Sequence, residues 1–176
     1  MHTIEINKIT QKDISELQNI CIQTFRETFA EVNTTENIEK YVTESFAVDK
    51  LMKELSNPDT QFFFAKLEQQ VIGYLKINFG QAQTELKGEN SLEIERIYVL
   101  KAFHGKKVGQ VLYEKALDVA KQTNANYIWL GVWEKNERAL QFYKKNGFVE
   151  FDKHIFKLGA DEQTDIMMKL NLEKAQ

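Results

Sequence analysis

The sequence predicts an α/β (α+β) fold of seven strands and five helices in the order βααα-ββ-βαβ-αββ. Three observations carry this reading. Apolar side chains recur at three- and four-residue steps in some segments and at two-residue steps in others, so amphipathic helices and half-buried strands are both present. Segments 91–99 and 127–133 read as strands on either side of an amphipathic helix, and a right-handed crossover through that helix makes them parallel. Between 61 and 79, two aromatic and β-branched runs flank a short polar turn, the pattern of an antiparallel hairpin.

In chain order, Ile4, Ile6 and Ile9 mark a short first strand. Thr10, with Asp13 three residues on, signals a helix start, and Ile14, Leu17, Cys21, Phe25 and Phe29 then share one helix face. Helices over Thr35–Phe46 and Asp49–Leu55 follow. Asn57-Pro58 ends that run, because proline has no N–H to donate and restricts the residue before it. Strands Gln61–Leu67 and Val71–Phe79 enclose the turn Glu68-Gln69-Gln70, and Gly80–Asn90 is a polar loop. Ser91–Val99 alternates, which places Leu92, Ile94, Arg96 and Tyr98 on one face and Glu93, Glu95, Ile97 and Val99 on the other. A helix from Val108 carries the apolar stripe Val111, Leu112, Ala116, Val119 and Ala120 and leads into the strand Tyr127–Trp133. Asn136 caps another helix that stops at Gly147, and strands Phe148–Leu158 and Asp165–Leu172 complete the pattern.

A length of 176 residues with 43% apolar content suits one domain over 1–176, and a single proline with no low-complexity tract leaves no evident linker. The net charge of −3, with both signs intermixed, argues against a nucleic-acid partner. No apolar run approaches the roughly 20 residues that cross a bilayer. The start Met1-His2-Thr3-Ile4-Glu5 lacks a basic and then apolar leader, and Cys21 has no partner cysteine, so a cytoplasmic protein is expected. His2, His104 and His154 show no paired spacing, and no metal site is expected. Residues 1–60 hold 11 acidic and 6 basic side chains. Glu27, Glu31, Glu36, Glu39 and Glu44 therefore either attract a cationic ligand or are solvated helix faces.

Chemistry concentrates in the second half. From Ile97 to Gln110 a strand, a basic loop with Gly105 and a helix start follow one another. Such a turn aims unpaired backbone N–H groups and the positive end of a helix dipole at one point, which suits a pyrophosphate. Lys101, Lys106 and Lys107 either add charge for a further phosphate or are simply solvated.

The run His104-Gly105-Lys106-Lys107-Val108-Gly109 resembles the acetyl-CoA loop of GNAT-superfamily N-acetyltransferases: Gln or Arg, two residues, Gly, one residue, then Gly or Ala. It departs from that form at His104 and at Lys107, which stands where the first glycine is usual. Asn136, Ala139, Tyr143 and Gly147-Phe148 follow the superfamily's second signature closely, and with the 92–99 strand and the element order the likeness covers nearly the whole chain. It implies a mixed, mostly antiparallel seven-stranded sheet with helices on both faces. In that fold, strands 91–99 and 127–133 are a splayed parallel pair with the pantetheine arm of acetyl-CoA between them.

The resemblance also implies roles. Ile97, Tyr98 and Val99 supply main-chain bonds to pantetheine, and His104, Gly105, Lys106, Lys107, Val108, Gly109 and Gln110 cradle phosphate. Asn136, Arg138 and Ala139 line the arm, and a bulge near Glu95–Ile97 frees an N–H for the thioester oxygen. Tyr143 protonates the leaving thiolate; on helical spacing alone it is a core tyrosine, and Asn136 is also a plain helix cap. An amine of pKa near 10 must lose a proton before attack. Glu95 matches the base-bearing strand of polyamine acetyltransferases, and Glu93 the base position of the histone-acetyltransferase branch.

Whole phrases, among them Thr24–Phe29, Gln61–Phe64, Ser91–Tyr98 and Asp161–Asp165, resemble PaiA-type spermidine/spermine acetyltransferases. That likeness implies direct attack on acetyl-CoA by a polyamine in a ternary complex, on a monomer or homodimer. Two alternatives stay open: an acetyltransferase for protein N-termini or another small amine, and a catalytically silent acetyl-CoA-binding regulator.

Overall fold

Period-two apolar runs assemble one seven-stranded sheet, which the computed structural model describes within residues 2–173. Its strands are β1 (Glu5–Lys8), β2 (Thr60–Leu67), β3 (Gln70–Phe79), β4 (Ser91–Val99), β5 (Tyr127–Trp133), β6 (Val149–Leu158) and β7 (Asp161–Asn171). They lie in the order β1-β2-β3-β4-β5-β7-β6, and every neighbouring pair is antiparallel except β4 with β5. The helices are α1 (Ile14–Phe29), α2 (Thr35–Ser45), α3 (Val48–Ser56), α4 (Val108–Gln122) and α5 (Glu137–Lys145). None of the described helices is long and apolar enough to cross a membrane.

Alternation along the strands builds two cores. On one face Phe63, Leu75, Ile77, Leu92 and Ile94 pack with Leu112, Ala116 and Ala120 of α4 and with Tyr143 of α5. On the other, Phe62, Phe64 and Tyr74 pack with Leu17, Cys21 and Phe25 of α1, Ile38 and Val42 of α2, and Leu51 of α3. Burying each large apolar side chain contributes roughly 1.5–3 kcal/mol, enough to hold helices on both faces.

Three local features differ from the simple sequence pattern. The Thr10 cap first opens a 3-10 turn over Gln11–Asp13, with Thr10 N–H donating to Asp13 Oδ2 at 2.9 Å, and α1 starts after it. β7 begins at Asp161 rather than Asp165, because Gly159 at φ +64° and Ala160 close a tight hairpin with β6. Its first residues are polar and partly exposed, so they lack an apolar strand signature.

The third feature matters most for function. The β3–β4 register runs Asn78↔Glu93, Ile77↔Ile94 and then Lys76↔Arg96, leaving Glu95 as the extra residue of a β-bulge. A one-residue insertion resets a period of two, so the predicted faces of β4 are corrected beyond Ile94. Leu92 and Ile94 share the α4 face with Ile97 and Val99. Tyr98 lies on the α1 face beside Tyr74, their ring centroids 6.1 Å apart, and Arg96 sits there over Phe46.

Candidate active site

β4 and β5 pair only between Ser91–Ile94 and Tyr127–Leu130 and then part. Beyond the split, Ile97, Tyr98 and Val99 keep β3 on one side and have no strand on the other. Their free edge opens on a cavity of about 920 Å³, a slot for an extended chain with peptide-like groups. At its far end His104 Nε2 lies 2.9 Å from Val99 O, and the chain turns through Gly105 at φ +78° and Lys107 at φ +64° into α4.

The first bond back into this helix is Val111 N–H to Lys107 O at 3.2 Å, so the N–H groups of Val108, Gly109 and Gln110 lack intrahelical partners. A left-handed conformation costs a residue with a side chain about 1–2 kcal/mol. Lys107 thus keeps the backbone shape that glycine adopts freely, with its own side chain exposed. A Cβ placed on Gly105 or Gly109 would meet nothing within 4 Å, which leaves the backbone open to a ligand.

Asn136 is the cap of α5, accepting from Ala139 N–H at 3.1 Å. Ile97, Tyr98, Val99, His104, Gly105, Lys107, Val108, Gly109, Gln110, Asn136, Arg138, Ala139 and Tyr143 all line this one cavity. Lys106 does not; its Nζ lies 5.3 Å from the centre of the Phe103 ring. Lys135 and Lys145, which the sequence reading passed over, join Lys101, Lys107 and Arg138 there against only Glu27 and Glu137. The resulting positive excess and the free N–H groups fit the phosphates of a nucleotide, and the strand edge fits the amide-bearing arm of acetyl-CoA.

A second cavity, of about 540 Å³, meets the first at Thr28, Ile97, Tyr98, Trp133, Asn136, Ala139 and Tyr143, which line both. Phe25 and Phe29 of α1, Tyr41 of α2, and Phe46, Trp133 and Phe156 supply its aromatic walls. Five carboxylates, Glu54, Glu85, Glu93, Glu95 and Asp165, face it against the cations Lys50 and Arg96. The N-terminal acids singled out by charge counting are elsewhere. Glu27 accepts from Lys101 N–H at 2.8 Å, Glu31 pairs with Lys101 at 3.7 Å, and Glu39 pairs with Arg26 at 2.9 Å. Neither those three nor Glu36 and Glu44 line this cavity. Helices α1 and α2 roof it with rings rather than charge.

The two carboxylates of β4 differ sharply. Glu93 is buried, and its oxygens accept from Thr84 N–H at 2.8 Å, Asn78 Nδ2 at 3.0 Å and Thr84 Oγ1 at 2.5 Å. Burial raises its pKa above the usual carboxylate value, opposed by those hydrogen bonds. Glu95 has a longer bond, 3.3 Å from Asn78 Nδ2, and lies 2.6 Å from Lys76 Nζ and 3.5 Å from Arg96 Nη2. Burial pushes its pKa up, but Arg96 and Lys76 together outweigh burial and hold it below the usual value. Lys76 also reaches Glu54 at 3.2 Å, so two cations and two carboxylates form a compensated chain from α3 to the bulge.

Tyr143 is buried at the junction of the cavities, 5.3 Å from Phe142 and 5.5 Å from Phe148 between ring centroids. Burial, then the neighbouring Tyr98, pushes its phenol well above the ordinary value. Gln83, also buried, fixes the loop between β3 and β4 beneath this cavity, accepting from Ser91 Oγ at 2.8 Å and Trp129 Nε1 at 2.7 Å. Cys21 is buried and its thiol is pushed up to about 11, chiefly by burial, so it is a core residue and not a nucleophile. Among the described residues no group of three or more His, Cys, Asp or Glu side chains has the arrangement of a metal site.

Comparison with known proteins agrees with this geometry. The model of the acetyltransferase (GNAT) family matches residues 18–148. The "uncharacterized N-acetyltransferase in pepI 3′ region" of Lactobacillus delbrueckii subsp. lactis is 38% identical over 96% of this chain and 98% of its own length. A spermidine N(1)-acetyltransferase of Thermoplasma acidophilum is 27% identical over 83% of this chain and 88% of its own. The crystal structure of the PaiA N-acetyltransferase from Thermoplasma acidophilum in complex with coenzyme A superposes with a TM-score of 0.79 at 26% identity, covering 97% of this chain and 99% of that one.

Proposed function

The chain belongs to the GNAT acetyltransferase family and is an acetyl-CoA-dependent N-acetyltransferase, and from that premise we propose that its acceptor is a polyamine of the spermidine or spermine kind. The observation that carries the proposal is the make-up of the acceptor cavity, where aromatic rings and an excess of carboxylates line one space. A polyamine carries the matching pair of features. Its methylene segments pack on rings, and its ammonium groups meet carboxylates or ring faces. The spermidine acetyltransferase among the relatives supports the same reading.

Acetyl-CoA supplies an acetyl group activated as a thioester. The chain's own residues do the rest in this reading. Ile97, Tyr98 and Val99 hold the arm along the free edge of β4, while the α4 N-terminus and the cations around it hold the phosphates. Asn136 keeps its side-chain carbonyl on Ala139 N–H, which leaves its amide N–H groups to the arm. In this reading the β4 bulge frees an N–H to bond the thioester oxygen as negative charge gathers there.

Glu95 takes the proton from the attacking ammonium through water. Three short bonds occupy Glu93 in anchoring Thr84 and Asn78, whereas Glu95 accepts one longer bond from Asn78 and is held in its ionised form by Arg96 and Lys76. Tyr143 keeps its proton for the departing sulfur, because its raised pKa holds the phenol neutral.

The test is an acceptor screen at saturating acetyl-CoA, reading free thiol with spermidine, spermine, a short peptide and buffer alone. We expect kcat/KM for spermidine to exceed that for the peptide by tenfold or more, a difference of about 1.4 kcal/mol in transition-state stabilisation. A peptide used as well as spermidine would replace the polyamine with a protein N-terminus. Acetyl-CoA binding with no turnover of any amine would leave only the regulator.

A further inference from the structure

The wall of the acceptor cavity away from β4 is built by the end of β5 and the β6–β7 hairpin, and it carries a cluster that the chemistry above does not use. His154 on β6 lies across from Asp165 on β7, its Nε2 3.4 Å from Asp165 Oδ2. From the loop between β3 and β4, Glu85 Oε1 approaches the other ring nitrogen, Nδ1, at 3.5 Å. That Nδ1 is buried and has no hydrogen-bond partner. A neutral imidazole carries one proton, so one nitrogen must turn a lone pair toward a carboxylate. An imidazolium in the same place still leaves two negative groups around one positive. Either way the two carboxylates leave the trio net negative. Asp165 reflects this, since burial raises its pKa above the usual value in spite of His154.

Two further observations say what would fill the gap. Gly131 on β5 leaves the trio open to the cavity: a Cβ there would stand 3.3 Å from His154 Cε1 and 3.5 Å from Asp165 Oδ2. Aromatic rings stand around the same end, with Phe29 5.9 Å from Trp133 and 6.2 Å from Phe156 between centroids. Carboxylates and ring faces converging on one spot favour an ammonium group over a neutral or anionic one. Glu85, His154 and Asp165 line the same cavity as Glu95, so one extended diamine lying in it faces both ends.

We propose that Glu85, His154 and Asp165 form a second ammonium subsite, which takes the distal charged nitrogen of a di- or polyamine while the nitrogen to be acetylated lies beside Glu95 and Tyr143. The assignment rests on the polyamine reading and sharpens it: the enzyme selects acceptors by the presence of a second positive charge. An ammonium there has the carboxylates of Glu85 and Asp165 as acceptors, both of which line the cavity.

The experiment compares kcat/KM for 1,4-diaminobutane and n-butylamine, which share a four-carbon chain and differ in the second ammonium. The wild type should favour the diamine. Asp165→Asn and Glu85→Gln should each lower the diamine-to-monoamine ratio roughly tenfold or more, mainly through KM, as expected when one charge-assisted hydrogen bond is lost. Melting temperature and coenzyme A affinity by calorimetry confirm that each variant is folded. Should one variant fail to fold, the other carries the test. A diamine preference that survives both substitutions would overturn the subsite and leave the polyamine reading intact. A wild type that ignores both amines and acetylates a peptide would overturn both.

Discussion

Replacing Lys76 by Met tests the buried charge chain on which the role of Glu95 depends. The Lys76 side chain is 6% exposed, and its Nζ lies 2.6 Å from Glu95 and 3.2 Å from Glu54. Methionine keeps much of the stem volume and removes the charge, leaving two carboxylates around Arg96 alone. Taking one partner from a buried ion pair costs about 3–5 kcal/mol. Glu54 and Glu95 are 17% and 19% exposed, so some solvent relief is available, and a loss near about 3 kcal/mol is the better figure. For a chain of this length that lowers Tm by roughly 6–12 °C.

The pH dependence has a definite sign. In the wild type the Glu95 pKa is held below the usual value, so its ionised form stabilises the fold above the unfolded pKa near about 4.3, and that contribution is lost as pH falls through the folded pKa. In Lys76→Met burial meets one cation instead of two, and the carboxyl takes up its proton at higher pH. The deficit against wild type should therefore be greatest near neutrality and narrow toward pH 4. The acid limb of kcat/KM should move to higher pH in the same variant. Adding Glu54→Gln restores equal numbers of buried charges and should recover part of the lost Tm. Calorimetric melts across pH check all of this. A Lys76→Met protein melting within about 2 °C of wild type at neutral pH, less than 1 kcal/mol by the same scaling, would refute the reasoning.

Tyr143→Phe should lower kcat roughly a hundredfold while the Kd for acetyl-CoA stays within about twofold, and any fall in wild-type rate at high pH should arise elsewhere, because the phenol titrates above that range. An unchanged kcat by thiol-release assay removes Tyr143 as the acid. Lys107→Gly relieves a left-handed residue at φ +64° but loosens the unfolded chain, for a net gain of about 0.5–1 kcal/mol, seen as a higher Tm with coenzyme A affinity held or improved. A lower Tm would mean that the lysine side chain secures the loop.

How far the sequence could be read depended on the kind of signal. β4 was legible to the residue because its side chains alternate and β5 because it is an apolar run between Asn126 and Glu134, and the Asn136 cap and Gly147 bracketed α5 by equally local signals. The candidate cofactor cleft was legible because its loop and helix start are contiguous in the chain, and among its cations Lys135 and Lys145 escaped notice. The acceptor cavity was not. Its carboxylates come from α3, the β3–β4 loop, β4 and β7, and only strand order and hairpin register bring Glu85, His154 and Asp165 together. Charge counting over 1–60 pointed instead at residues such as Glu39 and Glu31, which pair with Arg26 and Lys101. A linear count carries no direction.

The bulge at Glu95 shows why local alternation and function part company here. Strict alternation would put Glu93, Glu95, Ile97 and Val99 on one face of β4, driving either two carboxylates into the α4 core or two aliphatic side chains into the acceptor cavity. One extra residue removes the conflict: Ile97 and Val99 pack with the α4 core while Glu93, Glu95 and Arg96 face the acceptor. A bulge also bends its strand and adds twist, and pairing with β5 stops at Ile94, the residue before it. Both Glu95 and Arg96 are polar, so the sequence shows no break in pattern where the insertion falls. On the proposed mechanism the same residue orients the base and opens the slot for the arm, so the spacing between the Ile94 and Ile97 side chains matters to that mechanism as much as the carboxylate does.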